Sequence, residues 1–263
     1  MVSRQKIGMS LRQAFGIGRD EIISLVGGGG KTTLMFAIAH EIETADDRVV
    51  TTTTTRIFAP SSAETFLIVE ADEEKLFSRL SRALENHNHV TLAAFRLPGG
   101  KLKGISPETV DRLAASKLVP YIINEADGSA RKPLKAPNAT EPVIPESTTL
   151  VIAVVGVDAL GCPLTEDKVF RPEIVSRLTG LESRAPVTEN TIAVLLTHTE
   201  GIAKGTPAHA RIIPFINKID KLPDLSAAES LANKILAKGH PRIKRVVLGQ
   251  IKRREPVVKV IGD

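Results

Sequence analysis

Ile22-Ile23-Ser24-Leu25-Val26-Gly27-Gly28-Gly29-Gly30-Lys31-Thr32-Thr33-Leu34-Met35-Phe36-Ala37-Ile38-Ala39 runs from an apolar strand through four glycines and Gly-Lys-Thr into an amphipathic helix. A triphosphate is bound by closely spaced backbone N–H groups, and only glycine lets the chain approach phosphates that tightly. In this reading Gly27, Gly28, Gly29 and Gly30 form the cradle and Lys31 reaches the β- and γ-phosphates. Thr32 ligates Mg²⁺, Thr33 completes the loop, and the helix N-terminus adds partial positive charge. The bland alternative is a glycine-rich turn with a chance Gly-Lys-Thr. The strand before it and the helix after it argue against that.

Around this loop the chain reads as α/β. Strands are expected at about 22–26, 48–53, 66–69, 90–94, 121–123, 150–155, 191–196, 212–216 and 242–248. Helices are expected from the glycine loop to about Glu43, at 73–85, from Ser106-Pro107-Glu108 onward, and at 226–238. Apolar runs alternating with helical segments predict a mainly parallel central sheet flanked by helices. A length of 263 residues fits one such domain over 1–263. The proline-rich stretch 128–149 has little periodicity, and a loop that long inside a compact domain is usually functional.

Composition narrows the class. Apolar residues make up 42% of the chain, with no Trp and one Tyr, so aliphatic side chains must fill the core. The single Cys162 rules out an intramolecular disulfide and suits a reducing compartment. No apolar run reaches the roughly 18 residues of a membrane span, and no signal-peptide apolar region follows the basic residues Met1-Val2-Ser3-Arg4-Gln5-Lys6, so a cytoplasmic location is expected. The net charge of +5 comes without the aromatic platforms that hold single-stranded bases, so no nucleic-acid partner is expected.

Two further stretches carry chemistry. Tyr121-Ile122-Ile123-Asn124-Glu125-Ala126-Asp127-Gly128 places two carboxylates and a glycine at the carboxyl end of a strand. There Glu125 and Asp127 would act in catalysis by holding Mg²⁺ and its water shell, while the Gly128 N–H meets the terminal phosphate. The same tripeptide recurs at Glu70-Ala71-Asp72, but Glu73-Glu74-Lys75-Leu76 comes directly after it and reads as the first turn of a helix, where acids suit the dipole. Asn217-Lys218-Ile219-Asp220 after a late strand is a guanine-reading pattern. The Asp220 carboxylate accepts from the guanine ring N–H and amino group, Lys218 packs on the base, and Asn217 braces the loops. GTP is therefore favoured over ATP as substrate. Thr51–Thr55 and Arg56 close a strand at its carboxyl end, where open α/β sheets bind ligands. Thr54, Thr55 and Arg56 are candidate contacts for substrate or client. The six histidines form no metal signature.

The glycine loop reduces to GGxGKT, the variant found in the SIMIBI class of P-loop NTPases, with Val26 where that class often has a signature lysine. Taken with the Thr51–Thr55 run, Glu125-Ala126-Asp127-Gly128, Arg131-Lys132-Pro133-Leu134-Lys135-Ala136-Pro137, Glu141-Pro142-Val143-Ile144-Pro145, Gly156-Val157-Asp158-Ala159-Leu160-Gly161 and Asn217-Lys218-Ile219-Asp220, the chain resembles the YqeC family of selenium-dependent molybdenum hydroxylase accessory proteins. The similarity spans nearly the whole chain. It departs at Phe170 and Thr140, where the family commonly has His, while Arg171 matches. The resemblance implies a nucleotide-driven role in maturing a molybdenum- and selenium-dependent hydroxylase, with that hydroxylase or its cofactor machinery as client. Lys132, Lys135 and Arg171 are the candidate client or anion contacts, and a homodimer stays open. Two alternatives stand beside this reading. One is a nucleotide-dependent kinase or ligase acting on a small molecule, with its acceptor pocket at the proline-rich loop and Arg171. The other is a nucleotide-binding assembly chaperone that does not hydrolyse.

Overall fold

Strands whose every residue is buried, such as Glu21–Gly27 and Leu150–Gly156, can only lie at the centre of a sheet covered on both faces. The computed structural model describes residues 8–263, and the basic N-terminal stretch 1–6 lies outside the described residues. The first elements are α1 (Leu11–Phe15), β1 (Glu21–Gly27), α2 (Lys31–Glu43), β2 (Val49–Thr53) and β3 (Arg56–Phe58). Then come β4 (Phe66–Val69), α3 (Glu73–Ala83), β5 (His89–Ala93), β6 (Phe95–Leu97) and β7 (Lys101–Lys103). The middle of the chain holds α4 (Pro107–Ser116), β8 (Tyr121–Glu125), β9 (Leu134–Lys135), β10 (Leu150–Gly156), β11 (Val169–Phe170) and α5 (Pro172–Thr179). It closes with α6 (Glu189–Thr197), β12 (Arg211–Asn217), α7 (Ser226–Ala237), β13 (Arg245–Gly249) and β14 (Val257–Gly262).

Among the described residues nine strands form the main sheet in the order β14-β13-β12-β10-β1-β8-β2-β5-β4. All neighbours pair in parallel except β13 and β14, which are antiparallel. The chain builds one half of the sheet outward from β1, returns through β8, and then builds the other half from β10. The reversal falls at β1, and ligands bind outside the carboxyl ends of strands at such a switch point.

Alternation along each strand sorts the core into two faces. Ile23, Leu25, Ile123, Ile152 and Val154 meet Leu34, Met35 and Ile38 of α2, together with α1. On the opposite face Ile22, Val50 and Ile122 pack under α3 and α4, and Val151, Ala153 and Val155 pack under α6 and α7. Burying each such side chain contributes about 1.5–3 kcal/mol, which offsets the desolvation of charged groups gathered at the strand ends.

One expected strand is a helix. Thr191–Leu196 lies within α6, buried against α5 and α7. A short apolar run buried all round has no period to read, and its capping box decided the outcome. The Thr188 hydroxyl accepts from the Thr191 N–H, and the Thr191 hydroxyl bonds back to the Thr188 backbone.

Candidate functional site

The glycine loop leaves β1 at Gly27 and enters α2 at Lys31. Gly27, Gly29 and Gly30 have φ of 94°, 85° and 131°, a region side chains rarely adopt. Space is equally restrictive. A Cβ on Gly29 would lie 2.2 Å from the Gly156 nitrogen, and one on Gly30 2.6 Å from Asn217 Nδ2. A Cβ on Gly28 would lie 2.6 Å from the Lys132 carbonyl oxygen. The loop is thus packed between the end of β10, the end of β12 and the segment after β8.

Its polar groups turn to these neighbours. The N–H of Gly27 donates to Asp127 Oδ2 (3.0 Å), that of Gly28 to the Val154 carbonyl (2.9 Å) and that of Gly29 to the Lys132 carbonyl (3.0 Å). Lys31 is buried, and its ammonium donates to the Gly27 carbonyl at 2.6 Å. The same ammonium stands 3.1 Å from Asp127 Oδ1 and 3.6 Å from Glu125 Oε1. The Thr32 hydroxyl donates to Glu125 Oε2 at 2.6 Å. Strand β8 delivers both acids beside the loop because it pairs with β1 in parallel register, Glu125 opposite Leu25.

Burial and charge act against each other here. For Lys31 burial alone would lower the pKa, but Asp127 and then Glu125 more than compensate, and the ammonium is held protonated. Burial pushes the Glu125 carboxyl up against the opposing pull of Lys31 and Thr32. Asp127 is wholly buried, and its Oδ1 faces the Lys31 ammonium. A buried carboxylate oxygen calls for a cation, and here the ammonium of Lys31 fills that place.

The expectation that Lys135 faces an outside anion is corrected. Lys135 is wholly buried on β9, 3.1 Å from Asp127 Oδ2, and donates to Glu141 Oε2 (2.9 Å) and the Gly128 carbonyl (2.7 Å). Both residues of β9 are buried, and carboxylates meet Lys135 inside. Arg171 donates to the same Glu141 oxygen at 2.5 Å and lies over the Phe170 ring. Burial alone would raise the Glu141 carboxyl, but hydrogen bonds from Arg171 and then Lys135 hold it below the usual range. Thr140 and Phe170 therefore flank the two ends of this contact. Lys132 turns outward, and its ammonium donates to the Asp167 carbonyl at 2.7 Å.

Asn217 Nδ2 donates to the Gly29 carbonyl (2.8 Å), and its Oδ1 accepts the Ile251 N–H (3.1 Å). Lys218 pairs with Asp158 at 3.0 Å, and Asp220 pairs with Arg253 at 2.9 Å on the surface. The threonine run is mostly consumed inside the sheet. Thr51 bonds His89 and Thr91, Thr52 the Leu92 carbonyl, and Thr53 the Glu125 carbonyl. The Thr54 hydroxyl donates to the Val143 carbonyl, and Thr55 Oγ1 lies 3.2 Å from Thr53 Oγ1. Arg56 is exposed on β3, in a small antiparallel sheet with β7 and β6. Lys31, Thr32, Glu125, Asp127 and Asn217 thus gather at the loop, whereas Lys135 is held by buried carboxylates and Arg56 stands exposed on β3. Asp158 escaped the site reading because its partners Lys218 and Lys221 are distant in sequence, and Glu141 because its pairing depends on how the stretch after β8 folds back.

A family model described as YqeC protein matches residues 23–173 of this chain, from β1 to the start of α5. The chain belongs to the YqeC family. A relative from Escherichia coli (strain K12), named Uncharacterized protein YqeC, is 33% identical over 213 residues, 81% of this chain and 82% of its own. The family match takes in the glycine loop, both acids, Lys135, Glu141 and Arg171. Among the described residues no helix is long and apolar enough to cross a membrane.

Proposed function

We propose that the chain is a P-loop nucleoside triphosphatase of the SIMIBI type that binds a Mg²⁺–nucleoside triphosphate, preferably GTP, at the end of β1. The observation that carries this reading is the convergence of Lys31, Thr32, Glu125 and Asp127 on one glycine loop at the switch point of the sheet. Lys31 would leave the carboxylates for the phosphates. Thr32 and Glu125 would orient the ion, and Asp127 Oδ1, once Lys31 has left it, would be free to take a bound water. Among the described residues no group of three or more His, Cys, Asp or Glu side chains could hold a metal alone. Mg²⁺ keeps several waters and shares its shell with substrate phosphates, so Thr32 and Glu125 would supply only part of its ligands. When bound, the ion would neutralise charge developing on the transferred phosphoryl group. For guanine reading, Asn217 already ties the loop after β12 to Gly29, and Asp220, exposed and paired with Arg253, would exchange that partner for the base. Family resemblance extends the proposal to a role in maturing a molybdenum- and selenium-dependent hydroxylase.

A second reading has its own observation. A cavity of about 420 Å³ opens at the carboxyl ends of β2, β4 and β5, lined by Thr54, Glu70, Glu73, Lys103, Thr109 and Arg112 among others. It lies on the side of the two acids, beyond β8 in the strand order, where the acceptor of a small-molecule kinase or ligase would sit. Arg171, engaged with Glu141, is a poorer place for that acceptor than this cavity.

The test is phosphate release from Mg²⁺–GTP by the unmodified chain and by Lys31→Ala. Loss of turnover and weakened binding in a folded variant are expected. Equal turnover and equal binding would reject the phosphate loop. Intact GTP binding with no turnover above the Lys31→Ala level would favour an assembly module that does not hydrolyse. A stoichiometric phosphorylated product from an added small molecule would favour the kinase.

A further inference from the structure

Lys135 has no exposed surface, yet it joins two carboxylates from different segments, Asp127 after β8 and Glu141 in the proline-rich stretch. Each inner charge along this path sits between two opposite ones. Asp127 divides its oxygens between Lys31 (3.1 Å) and Lys135 (3.1 Å). Lys135 stands between Asp127 and Glu141, and one Glu141 oxygen is shared by Lys135 (2.9 Å) and Arg171 (2.5 Å). Lys31, Asp127 and Lys135 are buried, so salt screens them little. At the outer end the Arg171 side chain keeps 19% of its surface exposed.

We propose that Lys31, Asp127, Lys135, Glu141 and Arg171 form a charge ladder through which the engagement of Arg171 at the surface sets how firmly Lys31 is withheld from a phosphate ligand. The inference rests on the nucleotide reading of the glycine loop. It adds a direction that this reading does not contain, because the effects along the ladder alternate in sign. Neutralising Glu141 turns Lys135 wholly to Asp127, and the hold of Asp127 on Lys31 slackens. Neutralising Arg171 turns Glu141 wholly to Lys135 and leaves Asp127 more fully to Lys31. An acidic group of a partner docked on Arg171 acts in the second sense. By reciprocity, triphosphate at the glycine loop weakens that docking by the same factor.

The experiment compares the full chain with Glu141→Gln and Arg171→Gln by two measurements. The first is the rate at which an amine-reactive reagent labels Lys31 without nucleotide, read by peptide mass spectrometry. The second is the affinity for GTP by calorimetry. Glu141→Gln should label faster and bind GTP about fivefold more tightly, and Arg171→Gln should label more slowly and bind about fivefold more weakly. Arg171→Lys keeps the charge and should resemble the unmodified chain, which separates charge from packing. Labelling that rises in both glutamine variants, or that moves in neither, overturns the ladder. Alternating labelling with no GTP binding in any of the proteins upholds the ladder and rejects the nucleotide reading instead.

Discussion

Glu-Ala-Asp ends two parallel strands of this sheet, and the two copies meet different fates. After β8, Glu125 and Asp127 are drawn into the molecule. Asp127 is wholly buried between two lysines, with the Gly27 N–H on its Oδ2. After β4, Asp72 stays at the surface and caps α3, its Oδ1 accepting the Lys75 N–H at 3.0 Å, while Glu70 pairs loosely with Arg79. Identical side chains cannot account for this. The difference lies in the neighbours: β8 is paired with β1 at the switch point, whereas β4 is the edge strand on that side. The chain beyond each tripeptide differs too. Gly128 and the proline-rich stretch fold back over the glycine loop, while Glu73-Glu74 continue into a helix. A short acidic motif thus acquires chemistry from its place in the sheet.

The largest effect expected from this contrast is on turnover. Asp127→Asn and Glu125→Gln should each lower Mg²⁺-dependent GTP hydrolysis by roughly a hundredfold or more, as loss of a preorganised charge at a reacting centre does. Asp72→Asn keeps a good helix cap and should leave turnover unchanged. Steady-state phosphate release, with circular dichroism to confirm folding, checks all three. An Asp72 variant as impaired as the others would erase the distinction between the two strands.

The next effect sharpens the contrast between charged and neutral burial. Around β8 the buried polar groups are ions in balance. In β5, by contrast, His89 is buried beside the Thr51 hydroxyl, and burial lowers its pKa to about 4 from 6.5. A folded state that prefers the neutral ring gives full stability above pH 6.5. The unfolded chain takes up its proton first as the pH falls, so stability declines between pH 6.5 and about 4 and then levels off. The total is about 3 kcal/mol by linkage. Urea unfolding across this window should show that decline, and His89→Gln should remove most of it. An equal acid slope in the variant would mean that His89 is not the source.

Much of the frame was legible because its signals are local. The strand, four glycines and Gly-Lys-Thr at 22–33 marked where β1 ends and α2 begins, and Ser106-Pro107 marked the start of α4 through a side-chain cap. Glu73-Glu74-Lys75-Leu76 read as a first helical turn because acids suit the dipole, and α3 begins there. Thr191–Leu196 misled because a fully buried helix and a fully buried strand are equally apolar. The edge strand β14, half exposed and antiparallel, carried no strong pattern either. Within the site, the convergence of Lys31, Thr32, Glu125 and Asp127 stems from loop and strand-end positions that the sequence displays. The pairing of Lys135 with Glu141 and Asp127 does not, because it depends on how the stretch after β8 returns across the sheet. Residue type alone suggested a surface lysine.

Calorimetric titration of Mg²⁺–GTP and Mg²⁺–ATP into the purified chain, repeated with Lys31→Ala, tests most directly whether the glycine loop is a nucleotide site. Saturable binding of GTP is predicted, with weaker binding of ATP because adenine leaves the Asp220 carboxylate facing an acceptor, and loss of both in the variant. Equal affinities for the two nucleotides would remove the guanine assignment, and no saturable binding of either by the unmodified chain would contradict a nucleotide site at the glycine loop.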